Sequence, residues 1–259
     1  MPIVAAAVLP HTPLLLPTVA KEHAALLAVT TSQVQAVAAD CYAAKPDVLV
    51  ILTPHGSTLR QAIVVHAAEV YRGGFADFGD LVTHLDARGA LGLTHQLKMA
   101  AEREHLPLVL QTFPELDYGT SIPLIFLLKS QPQAPVIPII VPPRQPDLLL
   151  RTGAVLHDFL SATRARSVIV ASADLSRRRE RIPDARRRPS GEERRLSSAI
   201  VAVDPAQAAA VTPRLSTCGY DPIVVLLSTL QGLASSGRVM SFEAPFGVGL
   251  MTATFDLQP

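Results

Sequence analysis

Three stretches of this chain stay apolar on consecutive residues instead of alternating: "DVLVILT" (47–53), "VIPIIV" (136–141) and "SVIVAS" (167–172). A strand with one face in water alternates apolar and polar residues. One that is apolar throughout has to be covered on both faces, which is the signature of a largely parallel sheet between helical layers. Five further runs read as strands: "IVAAAVL" (3–9), "AIVVHAA" (62–68), "PLVLQTF" (107–113), "RVMSFE" (238–243) and "VGLMTATFDL" (248–257). The last two form a hairpin around "APFG". Helical patterns fill roughly 19–44, 90–105, 120–130, 147–163, 190–203, 205–211 and 220–234. Strands and helices alternating at these lengths predict an α/β fold. The expected architecture is a single-domain sandwich over 1–259, with a central mixed, mostly parallel β-sheet flanked by helices. No polar Gly/Ser linker and no internal repeat divides the chain.

With 259 residues, 49% of them hydrophobic and 17% charged, the chain can bury a substantial core, and disorder is excluded. The first twenty residues carry no charged side chain, but four prolines interrupt them and no basic leader precedes them. That fits a buried strand and loop, neither a secretory signal nor a membrane span. Cys41 and Cys218 have no metal-type spacing, which fits a reducing, cytoplasmic setting. Cys218 reads as a packing residue at the start of the "CGYDP" helix.

In open α/β sheets, sites form beyond the carboxyl ends of strands. The first strand leads into "LPHTPLL" with His11, and the second into "LTPHGST" with His55. "PLVLQTF" leads to Asp117 and Tyr118, "SVIVAS" to Asp174 and Arg177, and "RVMSFE" ends in Glu243. Two Pro-His pairs and one carboxylate suit a 2-His-1-carboxylate centre with positions left open for substrate and O₂. A histidine at a strand end is otherwise a loop residue with satisfied hydrogen bonds, and spacing leaves both readings open.

Six segments in register change that balance. The chain resembles the class III extradiol ring-cleavage dioxygenases of the catalytic B-subunit type, a superfamily shared with the Memo-like proteins. "PHTPLLLPTV", "KPDVLVILTPHG", "ELDYGTSIPLIFL", "VIVASADLSR", "CGYDPIVVLLSTLQG" and "FEAPFGVGLMTATF" carry the resemblance nearly end to end. It implies that His11, His55 and Glu243 hold Fe(II), that the substrate is a small aromatic diol cleaved with O₂, and that the protein is a homodimer. Zinc, manganese and copper are open alternatives for such ligands, copper and zinc being favoured by intrinsic affinity.

Two departures stand out. Arg177 and Tyr118 occupy positions where the family carries histidines that handle protons. A guanidinium cannot accept a proton near neutrality, and a phenol is a poor base. General acid–base help is worth roughly 10²–10⁴-fold, so ring cleavage is expected to be slow or absent. Arg177 instead offers a fixed charge for an anionic group on the substrate, with Tyr118 facing the substrate and Asp174 behind them. The second functional reading is therefore a Memo-like metal-binding or scaffold protein without turnover. Asp174 is read equally as a cap of the turn that follows it, and Asp117 chiefly as a helix cap.

Nine arginines fall within 177–195, giving a local net charge of +5 while the whole chain carries only +1. With no aromatic residue among them to stack on bases, the segment reads as a solvated loop or the rim of an anion-accepting cleft, and against nucleic acid. His66 and the remaining histidines are expected at the surface, with His66 a minor candidate for the missing base.

Overall fold

The computed structural model describes residues 2–177, 188–211 and 217–258, without the side chains of Ser176 and Arg177. The first strand, β1 (Ile3–Leu9), is followed by a 3-10 turn (Pro13–Leu15), a short helix α1 (Pro17–Ala20), a second 3-10 stretch (Lys21–Leu27) and α2 (Ala28–Ala43). The single helix expected over 19–44 is thus broken. Lys21 adopts φ 48° and ψ −123°, a conformation no helix interior can contain. Strands β2 (Val48–Thr53) and β3 (Ile63–His66) come next, then β4 (Val70–Phe75) and β5 (Asp80–Arg88), helix α3 (Leu91–Arg103), β6 (Leu108–Gln111), β7 (Glu115–Leu116) and α4 (Tyr118–Leu127). The second half contains β8 (Val136–Ile140), α5 (Pro146–Ala162), β9 (Ser167–Ser172), β10 (Asp174–Arg177), α6 (Gly191–Ala202), α7 (Pro205–Ala209), α8 (Tyr220–Leu230), β11 (Ala234–Glu243) and β12 (Val248–Leu257).

The main sheet has the order β10-β12-β1-β9-β2-β8-β3-β6, with β11 also paired to β12. Its centre, β1-β9-β2-β8, is parallel, and the flanks add antiparallel pairs on both sides. Both faces of the central strands are covered, as their unbroken apolar character predicts. Val48, Val50, Leu52, Ile169 and Ala171 enter one core with residues of α3, α5, α6 and α8. Leu49, Ile51, Val168 and Val170 enter the other, against α2, α4 and the smaller sheet.

That smaller sheet, in the order β5-β4-β7, was not visible in the hydrophobic pattern. In "VYRGGF" every second residue is buried, but two of the six are glycine, and the apolar alternation is diluted. The carboxyl ends of β1, β2, β8 and β9 share one edge of the main sheet. Strand β3 runs antiparallel to β8, and β6 parallel to β3. So β6 ends at the opposite edge, and Asp117 and Tyr118 reach the site only after the chain returns through β7. The hairpin around "APFG" forms as expected, with Phe246 and Gly247 at positive φ in its turn. Among the described residues no helix is long and apolar enough to cross a membrane.

Candidate metal centre

His11 lies two residues beyond β1 and is fully buried. Three contacts fix it. Its backbone N–H donates to Asp174 Oδ1 at 2.9 Å, and its Nδ1 is 2.9 Å from Ser172 Oγ. Asp174 Oδ2 lies 3.7 Å from its Nε2. Ser172 has one proton, and it donates that proton to the carbonyl of Gly119. Its oxygen must therefore accept from His11 Nδ1–H, which leaves the lone pair of His11 on Nε2. Asp174 opens β10, pairs with Leu250 of β12, and holds the backbone of His11.

His55 follows β2 by the same two residues. Gly56, at φ +112°, turns the chain immediately after it, in a conformation open to glycine alone. The two rings meet edge to face, with centroids 4.8 Å apart and their Nε2 atoms 3.2 Å apart. Helix α4 delivers the third group. Asp117 caps it, accepting from Thr120 N–H at 3.2 Å, so the cap expectation for Asp117 is met. Tyr118 is the first helical residue, and its hydroxyl lies 3.1 Å from His55 Nε2. Such an approach needs Gly119: a Cβ there would stand 2.6 Å from His55 Cδ2.

The fourth group is Cys218, just before α8, whose Sγ lies 3.3 Å from His11 Nε2. His11, His55 and Cys218 place one ligand atom each within 4.8 Å of one another. Spacing along the chain gave no hint of this cysteine. Its signal lay in the "CG-x-x-P" segment, which puts it at the entry to a buried helix. Cys41 makes the contrast: burial, and then the neighbouring Asp40, push its thiol up to about 12, so it stays protonated and inert.

Glu243 is not among the side chains that place a ligand atom within 4.8 Å of the others. It ends β11, and its Oε2 accepts from the backbone N–H and the hydroxyl of Thr30, at 2.7 and 2.6 Å. Thr30 is the third residue of α2, where a helix has N–H groups without intrahelical partners, and the carboxylate satisfies one of them. Leu250 is in register with Glu243 on one side and Asp174 on the other, so a whole strand separates the two carboxylates. Arg177 closes β10, but its side chain lies outside the described residues, as does 178–187 with most of the arginine segment. The end of that segment is helical: Ser190 and Glu193 form a reciprocal capping box at the start of α6.

His66 is not a surface residue. It is 1% exposed and packs against Phe113, and among the described residues neither ring nitrogen has a hydrogen-bond partner. Burial lowers its pKa, and the nearby charge of Asp117 offsets part of that shift.

Comparison with known proteins agrees with this architecture. The family described as the catalytic LigB subunit of aromatic ring-opening dioxygenase matches residues 5–190. A Clostridium acetobutylicum protein designated CA_C1420 is 26% identical over 260 residues, covering 93% of this chain and 55% of its own length. The chain thus spans about half of that curated relative. The crystal structure of the uncharacterized protein JW3007 from Escherichia coli K12 superposes with a TM-score of 0.65 at 14% identity, covering 97% of this chain and 99% of the other. That likeness is one of fold.

Proposed function

Because the chain belongs to the family of the catalytic LigB subunit of aromatic ring-opening dioxygenases, we propose that it is a non-haem metal-dependent oxidoreductase acting on a small aromatic diol with O₂. His11, His55 and Cys218 hold the metal. The observation that carries the reading is the convergence of two imidazole nitrogens and a thiol sulfur, with His11 presenting its lone pair inward. Iron is the family's usual metal; a bound ion would act as a template for the diol and as a Lewis acid.

The chain's own residues set the rest. Ser172 fixes the tautomer of His11, and Asp174 fixes its backbone and places a negative charge near its ring. Tyr118 offers a hydroxyl at His55 Nε2. Arg177 supplies positive charge at the end of β10 and suits an anionic group on the diol.

A second reading is favoured by one specific observation. No histidine stands at position 118 or 177, where the resemblance places the residues that handle protons. A Memo-like protein that binds metal without turnover is compatible with the same cluster of His11, His55 and Cys218. Metal analysis of anaerobically prepared protein, beside a His11→Ala/His55→Ala variant, separates the readings once O₂ uptake is followed on a catechol panel. Bound metal that is lost in the variant, with diol-dependent uptake, establishes the enzyme. Bound metal without uptake establishes the binding protein. Absence of metal from both after loading with Fe(II), Zn(II), Mn(II) or Cu(II) removes the centre.

The third ligand is tested separately. Cys218→Ala should lose metal, whereas Glu243→Gln, which keeps a carbonyl oxygen for Thr30, should retain it. The opposite pattern would return Glu243 to the metal.

A further inference from the structure

We propose that Tyr118 is itself a metal ligand, its phenolate oxygen completing a four-residue set with His11, His55 and Cys218. The inference rests on the metal reading above and makes Tyr118 part of the centre, where the sequence placed it facing the substrate. Three contacts run in an unbroken chain through the cluster. Cys218 Sγ is 3.3 Å from His11 Nε2, His11 Nε2 is 3.2 Å from His55 Nε2, and His55 Nε2 is 3.1 Å from Tyr118 Oη. Atoms bound at about 2.0–2.3 Å around a tetrahedral ion stand about 3.3–3.8 Å apart. These three separations lie at or just inside that edge length, and the ligand atoms of His11, His55 and Cys218 all fall within 4.8 Å of one another, so an ion would need the side chains to move outward and around it.

The position of Tyr118 is built into the fold. Asp117 caps its helix, and Gly119 lets the first turn press against the His55 ring. The Gly119 carbonyl is joined through Ser172 to the far nitrogen of His11. The phenol ring is enclosed by His55 at 4.7 Å, His11 at 5.7 Å and Phe78 at 5.2 Å between centroids. One hydrogen-bonded frame therefore fixes both His11 and the first turn of α4, and the aromatic contacts direct the oxygen toward the histidine nitrogens.

On binding, a metal–oxygen bond forms, the phenol O–H bond breaks, and the proton passes to solvent. Cys218 loses its thiol proton in the same way. Two neutral imidazoles with a thiolate and a phenolate would make a dianionic four-residue set for the ion. A diol binding through both oxygens would have to displace Tyr118.

Zinc tests this without redox chemistry or turnover. Full-length protein is titrated anaerobically with Zn(II) while the ultraviolet tyrosinate difference band is followed and bound zinc is counted. The expected result is one tyrosinate per zinc in the wild type. In Tyr118→Phe the band is absent and zinc affinity falls at least about tenfold. Circular dichroism and melting of the apo-variant show that it folds. Stoichiometric zinc without a tyrosinate band, or an equal band in Tyr118→Phe, overturns the assignment and leaves Tyr118 as a hydrogen-bond partner of His55, with the three-residue centre intact. A wild type that takes up no zinc overturns both the assignment and the centre on which it rests.

Discussion

Ser172 orients the centre without facing it. Its hydroxyl oxygen accepts a hydrogen bond from His11 Nδ1–H, and its O–H donates one to the Gly119 carbonyl. Ser172→Ala should leave the fold intact but free the His11 tautomer, weakening metal binding by about 10–100-fold, as loss of a partner behind a ligand usually does. A zinc titration against a competing chelator reads this directly. His66 makes a different prediction. Its folded pKa lies below the ordinary value near ~6.5. The unfolded chain therefore binds the proton first as pH falls, and stability is full above ~6.5 and lost as pH drops through the lowered value. His66→Leu, close in volume and with no unpaired ring nitrogen, should remove that acid-side loss and be at least as stable at pH 8. Urea melts of both proteins from pH 8 to pH 5 give the comparison; parallel curves would mean that His66 finds partners in solution. These two residues also differ in legibility. The histidines of the centre were marked by their place after apolar strands. Cys218 and Ser172 act through neighbours 207 and 161 positions away, and no local pattern records such contacts.

Among the elements, those legible in the sequence are the ones whose composition has a single physical reading. Strands β2, β8 and β9 are apolar throughout because both their faces are covered, and their ends agree with the structure to within a residue or so. Strand β10 was missed because "DLSR" carries polar residues, and its strand character comes from pairing with β12 rather than from propensity. Helix α4 was expected from 120 but begins at Tyr118. That difference of two residues turns a loop tyrosine into the first residue of a capped helix against His55. The cap can be tested. Asp117→Ala should cost about 0.5–2 kcal/mol in urea unfolding, and it should weaken metal binding as well because the first turn then frays. Gly119→Ala is expected to be harsher. Its Cβ would stand 2.6 Å from His55 Cδ2 and 2.9 Å from Asp117 Oδ1, so the helix or the histidine must move. Overpacking of this kind costs typically about 1–3 kcal/mol, and the lost stability should be accompanied by lost metal.

At the scale of the whole molecule, the fold class was readable because alternation of strand and helix constrains it strongly. The centre was readable only in part, because it is assembled from loops that the topology alone brings together. Its stability should depend on its occupant. An ion that binds only the folded chain raises the unfolding free energy by RT ln(1 + [L]/Kd), about 2.7 kcal/mol at a hundredfold excess over Kd. Removing it with a chelator should lower the melting temperature of the wild type and leave His11→Ala/His55→Ala unchanged. Equal melting of the wild type with and without chelator would argue against a resident ion.

The order in which the chain is made adds a constraint in time. His11 and Cys218 are 207 residues apart, and β1 is held between β9 and β12, both from the second half of the sequence. At about 5–20 residues per second, His11 leaves the ribosome roughly 10–40 s before Cys218 exists. Through that interval the early histidines have neither their sulfur neighbour nor the strands that fix them. The residues of the site come together only when translation has passed β12, so a metal proposed to bind there would load after that strand is made, and a chain stalled before it carries the histidines without the site.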